Sequence, residues 1–530
     1  MGFINRRFKS YLVVGWCFFT VTEASAEMGM SSSLKLSILT KPVSSIPSPD
    51  AFNAYNEATF YKSSCNALPI VKPQGIFASP TGYANATGTE KDPLDLATAL
   101  ANNDIVKDGD TLWLMEGTYK GTFTSELRGS ANAPISVKPY PGKRVVIDTT
   151  NAPSGSGLTI NGAWTHYYGI EVTSFDNNRV SRVDNSSNPS DITLNGGVNI
   201  IGSTNRVINF ISHDNTGGIN AWSKRQDGFT GIDTETYGSI IYNNGWSAQP
   251  ADGSYGRGHG HAMYMQNFDG VKKITNNVIF YGFGTGIHAY QTGNQNNRGI
   301  ENFDIQDNTW FLTGASDIRK GMKKYDCLVG GYQPVRNLLI KNNQGYSDIG
   351  RTMIGYASSY KGNAFSNADA TLIDNYLVQN FKVNGNWQSI NMTGNSVFHG
   401  TSGNDDQINN LGANVFTGTE PSSGKKIFYI KNEYDPRRGR ITVYNYDRDA
   451  TVAVDLSKIV SVGAAYRIHS VFDLFGKAVI SGVYQGGMVN LPMGTVAPPQ
   501  PHGLEGAINP DEGDDPKELF GVFIVTHAGC

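Results

Sequence analysis

Ile274-Thr-Asn-Asn277, followed by Val-Ile-Phe280, is the phrase that decides the fold. An apolar residue, two variable positions, an asparagine and a second apolar run return as Ile305-Gln-Asp-Asn308, Ile340-Lys-Asn-Asn343, Leu372-Ile-Asp-Asn375 and Met392-Thr-Gly-Asn395. The asparagines are 31, 35, 32 and 20 residues apart. A unit of that size cannot bury its own apolar face, so successive units must stack into a solenoid. The strands are too short, and too rich in β-branched residues, Asn and Gly, for helical repeats. The pattern predicts an all-β chain: a right-handed parallel β-helix with asparagines laddered at the bends, where their side chains bond backbone groups of the next turn. Such a fold offers a long flat face of outward side chains, suited to gripping a polymer.

The ends of the chain set its expected destination. Arg6, Arg7 and Lys9 precede an apolar run from Tyr11 to Val21 and then Ala24-Ser25-Ala26, the layout of a secretory signal. Residues 1–26 are read as a signal peptide and Glu27 as the mature N-terminus, so the protein is expected to be secreted or periplasmic. The run is shorter than the ~20 residues a membrane span needs, and no other segment is long enough, so no membrane association is expected after signal removal. The whole sequence of 530 residues carries a net charge of −3, and loss of the more basic signal makes the remainder more acidic. That balance excludes nucleic acid as a general partner and requires a local basic patch for any anionic substrate. With 61 glycines and 17% charged residues the composition suits a turn-rich β protein. Cys17 leaves with the signal, and Cys65, Cys327 and Cys530 allow at most one internal bridge, which rules out a disulfide framework. No CxxC pair is present, so no structural zinc site is expected.

Residues 27–74 read as a variable lead-in. From Gly75 strands alternate around one short helix, Leu94 to Ala101, placed to cap the open apolar end of the solenoid. The segment containing Gly109-Asp110-Thr111, Gly117-Thr118-Tyr119, Ala133-Pro134-Ile135 and Pro141-Gly142 resembles the cap and first coils of secreted β-helical polysaccharide lyases, of the alginate lyase, chondroitinase B and pectate lyase-like type. That resemblance implies the fold and, more weakly, a lyase reaction on a polysaccharide. The β-helix is expected over 75–415. Beyond it, alternation at Ile441/Val443 and Val452/Val454, punctuated by Asp435-Pro436 and Gly486-Gly487, predicts an antiparallel β-sandwich over 425–530. The proline-rich, acidic piece from Ala497 to Asp515 reads as a solvated loop within it.

The segment richest in chemically useful groups is Gly256-Arg-Gly-His-Gly-His-Ala-Met-Tyr-Met-Gln-Asn267. Ala262-Met-Tyr-Met-Gln266 aligns with Gly286-Ile-His-Ala-Tyr290 at an offset of 24 residues, one plausible coil, and Gly218-Ile-Asn-Ala-Trp222 aligns with the former at 44. Side chains alternate faces along a strand. With Met263, Met265, Ile287 and Ala289 inward, Asn220, Tyr264 and His288 form one outward column, and Trp222, Gln266 and Tyr290 form a second. The glycine-rich loop from Gly245 to Gly260 accounts for the long offset and could wall a groove.

Rings that stack on pyranose faces and amides that bond hydroxyls are what a sugar polymer needs. A uronate lyase must neutralise the sugar carboxylate, remove the hydrogen on the adjacent ring carbon and protonate the leaving oxygen. His288 or His261 is the candidate base and Tyr264 the candidate acid; Arg257, Lys224, Arg225 or Gln266 is the candidate neutraliser. Parity turns His261 inward unless it lies in a bend, which ranks His288 and Tyr264 above it. Two other classes stay open. Gly258-His259-Gly260 resembles the histidine motif of polygalacturonases, but the paired aspartates a hydrolase needs are missing near it; Asp405-Asp406 lies far downstream. A non-catalytic polysaccharide-binding solenoid is the third. Calcium, the carboxylate clamp of many lyases of this type, would draw on Asp227, Asp233 and Glu235, which read first as ordinary turn acids; no metal ligand is assigned. The expected partner is a polysaccharide, acidic in character, and the chain is read as a monomer.

Overall fold

The computed structural model describes residues 73–101, 103–223, 231–292, 299–319, 324–510 and 513–528. The signal segment 1–26, nearly all of the lead-in 27–74, Cys65, Cys530, Lys224, Arg225 and Asp227 lie outside the described residues.

Short parallel strands wind into coils with three faces. The first face is a parallel sheet of twelve strands, from Ile76–Ala78 to Ile408–Asn410. A second sheet of nineteen strands bends to supply the other two faces. One of these runs from Gly117–Lys120 to Val415–Phe416; the other runs from Phe123–Ser125 to Thr401–Gly403. Ile274, Ile305, Ile340, Leu372 and Met392 pair in register and are all buried in one continuous core.

The asparagine phrase works as a two-residue device. Asn276, Asp307, Asn342, Asp374 and Gly394 all have φ between 53° and 68°. That left-handed conformation is tolerated best by Gly, Asn and Asp, so the position that looks variable in sequence is constrained by backbone geometry. The next residue is the ladder asparagine. Asn308 Oδ1 accepts from the Asn277 amide N–H at 2.9 Å, and Asn308 Nδ2 donates to the Ile274 carbonyl at 2.7 Å. Asn343, Asn375 and Asn395 repeat the arrangement, and Asn414 adds a rung that the sequence phrase does not reveal.

The short helix spans Leu96–Ala101, with the Asp95 side chain accepting from Thr98 N and Oγ1 at 2.8 and 2.7 Å. Leu96, Ala99 and Leu100 join the β-helix core, while Leu94, expected as helical, bridges to Ala78 instead. No helix among the described residues is long and apolar enough to cross a membrane.

At the C-terminal end a five-stranded antiparallel sheet runs in the order Lys425–Lys431, Arg438–Asn445, Phe520–His527, Ala465–Ser470, Ile480–Val483. It packs against an antiparallel ladder of Thr451–Asp455 and Met488–Pro492 around Ile441, Val443, Val452, Val454 and Leu491. Its other face carries Tyr444, Phe520, Val522 and Ile524, which lie on Phe280, Phe311 and Tyr346 of the second β-helix face. The described residues of the segment from Ala497 to Asp515 depart from their expected solvated state. Its backbone is used by the β-helix: Asn243 Nδ2 donates to Pro499 O at 2.9 Å, His502 N donates to Asp214 Oδ1 at 2.7 Å and Tyr281 OH donates to Asp514 O at 2.8 Å. Polar composition predicted exposure, but these long-range bonds hold the segment down.

Candidate active-site groove

The third face carries the outward columns. Asn220 pairs with Tyr264, Tyr264 with His288, His288 with Leu328 and Leu328 with Met353, one residue per coil. Ile219, Met263, Ile287 and Cys327 beneath them are inward and fully buried, so the offsets of 24 and 44 are true coil registers. Parallel neighbours at about 4.8 Å put the side chains of one column within reach of a single sugar.

Three rings meet at the centre. His261 and His288 have ring centroids 4.1 Å apart, Tyr264 stacks on His288 at 5.2 Å and a 20° tilt, and His261 lies 5.6 Å from Tyr264. His261 therefore does not point into the solenoid core. It sits in the bend before the strand Met263–Met265, where period-two alternation has not begun, and so shares the groove with the two favoured residues. Trp222 meets Tyr264 edge-on at 5.6 Å, and both it and Asn220 are half-buried.

Three other assignments need correction. Gln266 is buried, its amide donating to Tyr290 O and Gln291 Oε1, both at 3.2 Å, so it is not presented to a substrate. Tyr290 is 2% exposed, because the strand Ile287–Ala289 ends before it and the ring folds onto Leu328 and Met353 of the following coils. His259 leaves the groove altogether. The glycine-flanked segment is not an open loop: Gly258–His259 pairs antiparallel with Trp246–Ala248, which pairs in turn with Val180–Ser181. In that small side sheet His259 is buried, stacked on Trp246 at 5.1 Å and bonded through Nε2 to Asn185 Oδ1 at 2.9 Å. The side sheet is tied to a later segment of the chain. Ser247 donates to Asp317 of a later insertion at 2.7 Å, and Arg319 lies over the Tyr255 ring at 4.8 Å.

Burial, then the nearby positive charge of Arg257, pushes the His261 imidazole down to about 3, and His259 likewise falls to about 3. His288 is held well below its usual range by burial, then by His261 and Arg257. Both groove histidines are thus neutral at neutral pH. The Thr285 backbone N–H donates to His261 Nδ1 at 3.2 Å, so the neutral ring carries its proton on Nε2 and acts there as a donor. His288 Nδ1 has no hydrogen-bond partner among the described residues. Arg257 is half-buried, lies in the field of Tyr255, Tyr356 and Tyr290, and forms no ion pair among the described residues.

These donors do not suit calcium, which takes several acidic or carbonyl oxygens. Nor do Asp233 and Glu235, the described two of the three expected acids, converge on a cation site among the described residues. The Glu235 carboxylate is committed to Tyr434 OH at 2.5 Å, Thr275 at 3.2 Å and Arg206 at 3.4 Å, and Asp233 accepts from Val271 N at 2.8 Å. Asp405 accepts from Thr401 at 2.6 Å, several coils beyond the histidines.

Sequence reasoning missed Leu328, Met353, Tyr332 and Tyr356. Cys327-Leu-Val329 and Thr352-Met-Ile354 repeat the in-out-in pattern of Ile287-His-Ala289, and extending the alignment two coils would have found them.

Residues 76–252 match the family model described as Pel9A-like, right-handed beta helix region. That segment includes Asn220 and Trp222 and ends ahead of His261, Tyr264 and His288. A pectate disaccharide-lyase of Dickeya chrysanthemi is 27% identical over 181 residues, covering 32% of this chain and 22% of the relative. Pectate lyase L of Thermoclostridium stercorarium is 34% identical over 100 residues, covering 18% of this chain and 8% of the relative. The chain thus spans less than a quarter of the length of these curated relatives. Among solved structures, pectate lyase Pel9A superposes with a TM-score of 0.40 at 15% identity, over 65% of this chain and 80% of that one. An alginate lyase from Paenibacillus sp. str. FPU-7 gives 0.31 at 17% identity, over 61% and 94%. The matched part of the solenoid is thus similar to the Pel9A-like right-handed β-helix region, and both of these curated relatives carry pectate lyase names.

Proposed function

We propose that this protein is an exported polysaccharide lyase that cleaves a uronate-containing glycan by β-elimination in the groove at Tyr264 and His288. The observation that carries the reading is the cluster of His261, Tyr264 and His288 within 4.1 to 5.6 Å of one another, beside an Arg257 that has no carboxylate partner among the described residues. The names of the pectate lyase relatives put polygalacturonate first among substrates to try, and export rests on the N-terminal signal pattern.

In this reading Arg257 and the Nε2–H of His261 hold the uronate carboxylate and stabilise negative charge as it develops on the ring carbon beside it. Neutral His288 takes the hydrogen from that carbon. The electron pair forms the carbon–carbon double bond as the glycosidic oxygen departs, and Tyr264 gives that oxygen its hydroxyl proton. The imidazolium then returns its proton to the tyrosinate, which resets the site. An imidazole depressed by burial and by a neighbouring guanidinium is a weak base in the empty groove. A bound carboxylate opposes that positive charge and raises it toward the working range.

The test is to incubate the secreted protein with polygalacturonate, alginate, other polyuronates and neutral glycans. Products absorbing in the near ultraviolet, from the new double bond conjugated to the carboxylate, are expected from at least one polyuronate. New reducing ends without that absorbance mean hydrolysis, and retention without products means a binding protein; either outcome overturns the proposal.

A further inference from the structure

The run of aromatic contacts continues past His288 in one direction along the groove. Tyr290 stacks on His288 at 4.7 Å, Tyr356 meets Tyr290 edge-on at 5.4 Å, Tyr332 meets Tyr356 at 5.5 Å and Tyr360 meets Tyr332 at 5.8 Å. Tyr332 follows the strand Cys327–Val329 and Tyr356 follows Gln344–Ile354, the two coils that continue the His288 column. Tyr290, Leu328 and Met353 form a buried floor, while Tyr332, Tyr356 and Tyr360 keep part of their surface in solvent. Cations accompany the rings. Arg351 lies 5.7 Å over Tyr325, Lys361 lies 5.3 Å over Tyr360, and Arg257 sits in the field of Tyr290 and Tyr356.

The opposite direction is chemically different. From Asn220 the column passes to Asn199, Thr159 and Thr124, which are short amide and hydroxyl groups. Among the described residues of these columns, apart from Trp222 beside Tyr264, the ring surface lies on the C-terminal side of the reacting row. Coils recur about every 4.8 Å, close to the length of one pyranose unit in a linked polymer, so one coil can serve one sugar.

We propose that the rows at Tyr332 and Tyr356 are two glycan-binding subsites on the C-terminal side of the cleaved bond. Each stacks a pyranose face on a tyrosine ring, and the adjacent cations, Lys361 among them, hold the uronate carboxylates. The proposal rests on the groove being a polyuronate site and specifies which half of it takes the longer arm of the chain. A contact made equally in the ground state and the transition state acts on KM and leaves kcat alone. Wild-type protein should therefore show KM falling as galacturonate oligomers lengthen from three to six units.

The test compares the full wild-type chain with the double variant Tyr332→Ala/Tyr356→Ala, its ring-preserving control Tyr332→Phe/Tyr356→Phe, and Lys361→Glu. Lys361 is exposed, so that reversal removes no buried packing and only its contact with the Tyr360 ring. The expected result for the alanine pair is a rise of about tenfold in KM for the hexamer, the scale of a lost ring contact, with kcat within about twofold and the trimer little affected. The phenylalanine pair, which keeps both rings, should raise the hexamer KM clearly less than the alanine pair does. Lys361→Glu should weaken the galacturonate hexamer but not a neutral xylose hexamer. An unchanged hexamer KM in both the alanine pair and Lys361→Glu, with unsaturated product still formed, overturns the subsites and leaves the lyase reading standing. If no oligomer yields unsaturated product, calorimetry decides. Affinity that grows with oligomer length and collapses in the alanine pair sustains the subsites without the lyase, and affinity independent of length and of Tyr332 and Tyr356 removes both.

Discussion

Changing Tyr264 to Phe keeps the ring that stacks on His288 and removes the hydroxyl that carries the proton. If that proton goes to the leaving oxygen, turnover should fall by roughly two to four powers of ten with a much smaller change in binding. A collapse of binding with preserved turnover per bound substrate would make Tyr264 a sugar platform instead. The histidines give a separate handle through pH. His288 must be unprotonated to act as base, and burial together with His261 and Arg257 keeps its pKa well below 6.5 in the free protein. The acid limb of kcat/KM, which reports the free enzyme, should accordingly lie below the usual imidazole range. Arg257→Gln removes a positive charge that disfavours imidazolium, so the His288 pKa must rise. The acid limb should then move toward higher pH even as kcat/KM drops for want of the carboxylate clamp. A limb that stays put in a pH-rate profile of this variant would show that the titrating base is not His288.

At the scale of the element, the asparagine ladder couples one coil to the next. Asn308 accepts from Asn277 N and Nδ2 and donates to Ile274 O and Asn343 Oδ1, all between 2.7 and 3.0 Å and all buried. Asn308→Ala strands a buried amide and a buried carbonyl, each costing on the order of 1–3 kcal/mol. The half-buried end rung Asn414 can exchange its bonds for water, so Asn414→Ala should cost well under half as much, and denaturant midpoints of the two variants measure the difference. The same elements show what a sequence discloses. Ile274 to Met392 could be stacked by eye because inward residues in a parallel solenoid repeat once per coil, and Met263/Ile287 could be aligned because strand alternation persists across the pair. Legibility stopped where strands end. His261 and Tyr290 flank three-residue strands, and beyond those limits parity no longer tells which way a side chain faces. His259 was misplaced for a different reason: its partners Trp246 and Asn185 reach it through pairing with a side sheet that no local pattern announces.

The molecule as a whole is joined along its second face, and a charged cluster at one end of that seam should make its stability depend on pH. His213 stacks on Tyr242 at 4.9 Å, Tyr242 on Phe280 at 5.0 Å and Phe280 on Phe311 at 5.0 Å, a ladder of rings covered in part by Phe472 and Phe520 of the C-terminal sheet region. His213 Nδ1 bonds Asp214 at 2.7 Å and Nε2 bonds Glu171 at 3.0 Å, while Arg144 holds Glu171 at 2.6 Å and the His502 amide of the docked C-terminal segment holds Asp214. Burial alone would lower the imidazole pKa, but the two carboxylates outweigh it and raise it to about 9. A raised pKa stabilises the folded state fully below the unfolded value of 6.5, and that contribution is lost as pH climbs through about 9. The shift corresponds to roughly 3 kcal/mol. Thermal unfolding of the wild-type chain should therefore show a midpoint that declines between about pH 6.5 and 9. His213→Gln preserves a polar, planar group but cannot carry charge between Glu171 and Asp214, so it should be less stable at pH 6 and lose most of that decline. Because His502 and Asp214 share the cluster, the destabilised variant should also release the segment 497–510, which faster amide exchange there than in the solenoid core would detect. A His213→Gln chain that keeps the wild-type slope across this pH window would place the proton uptake elsewhere and leave His213 as a packing residue at the head of the ring ladder.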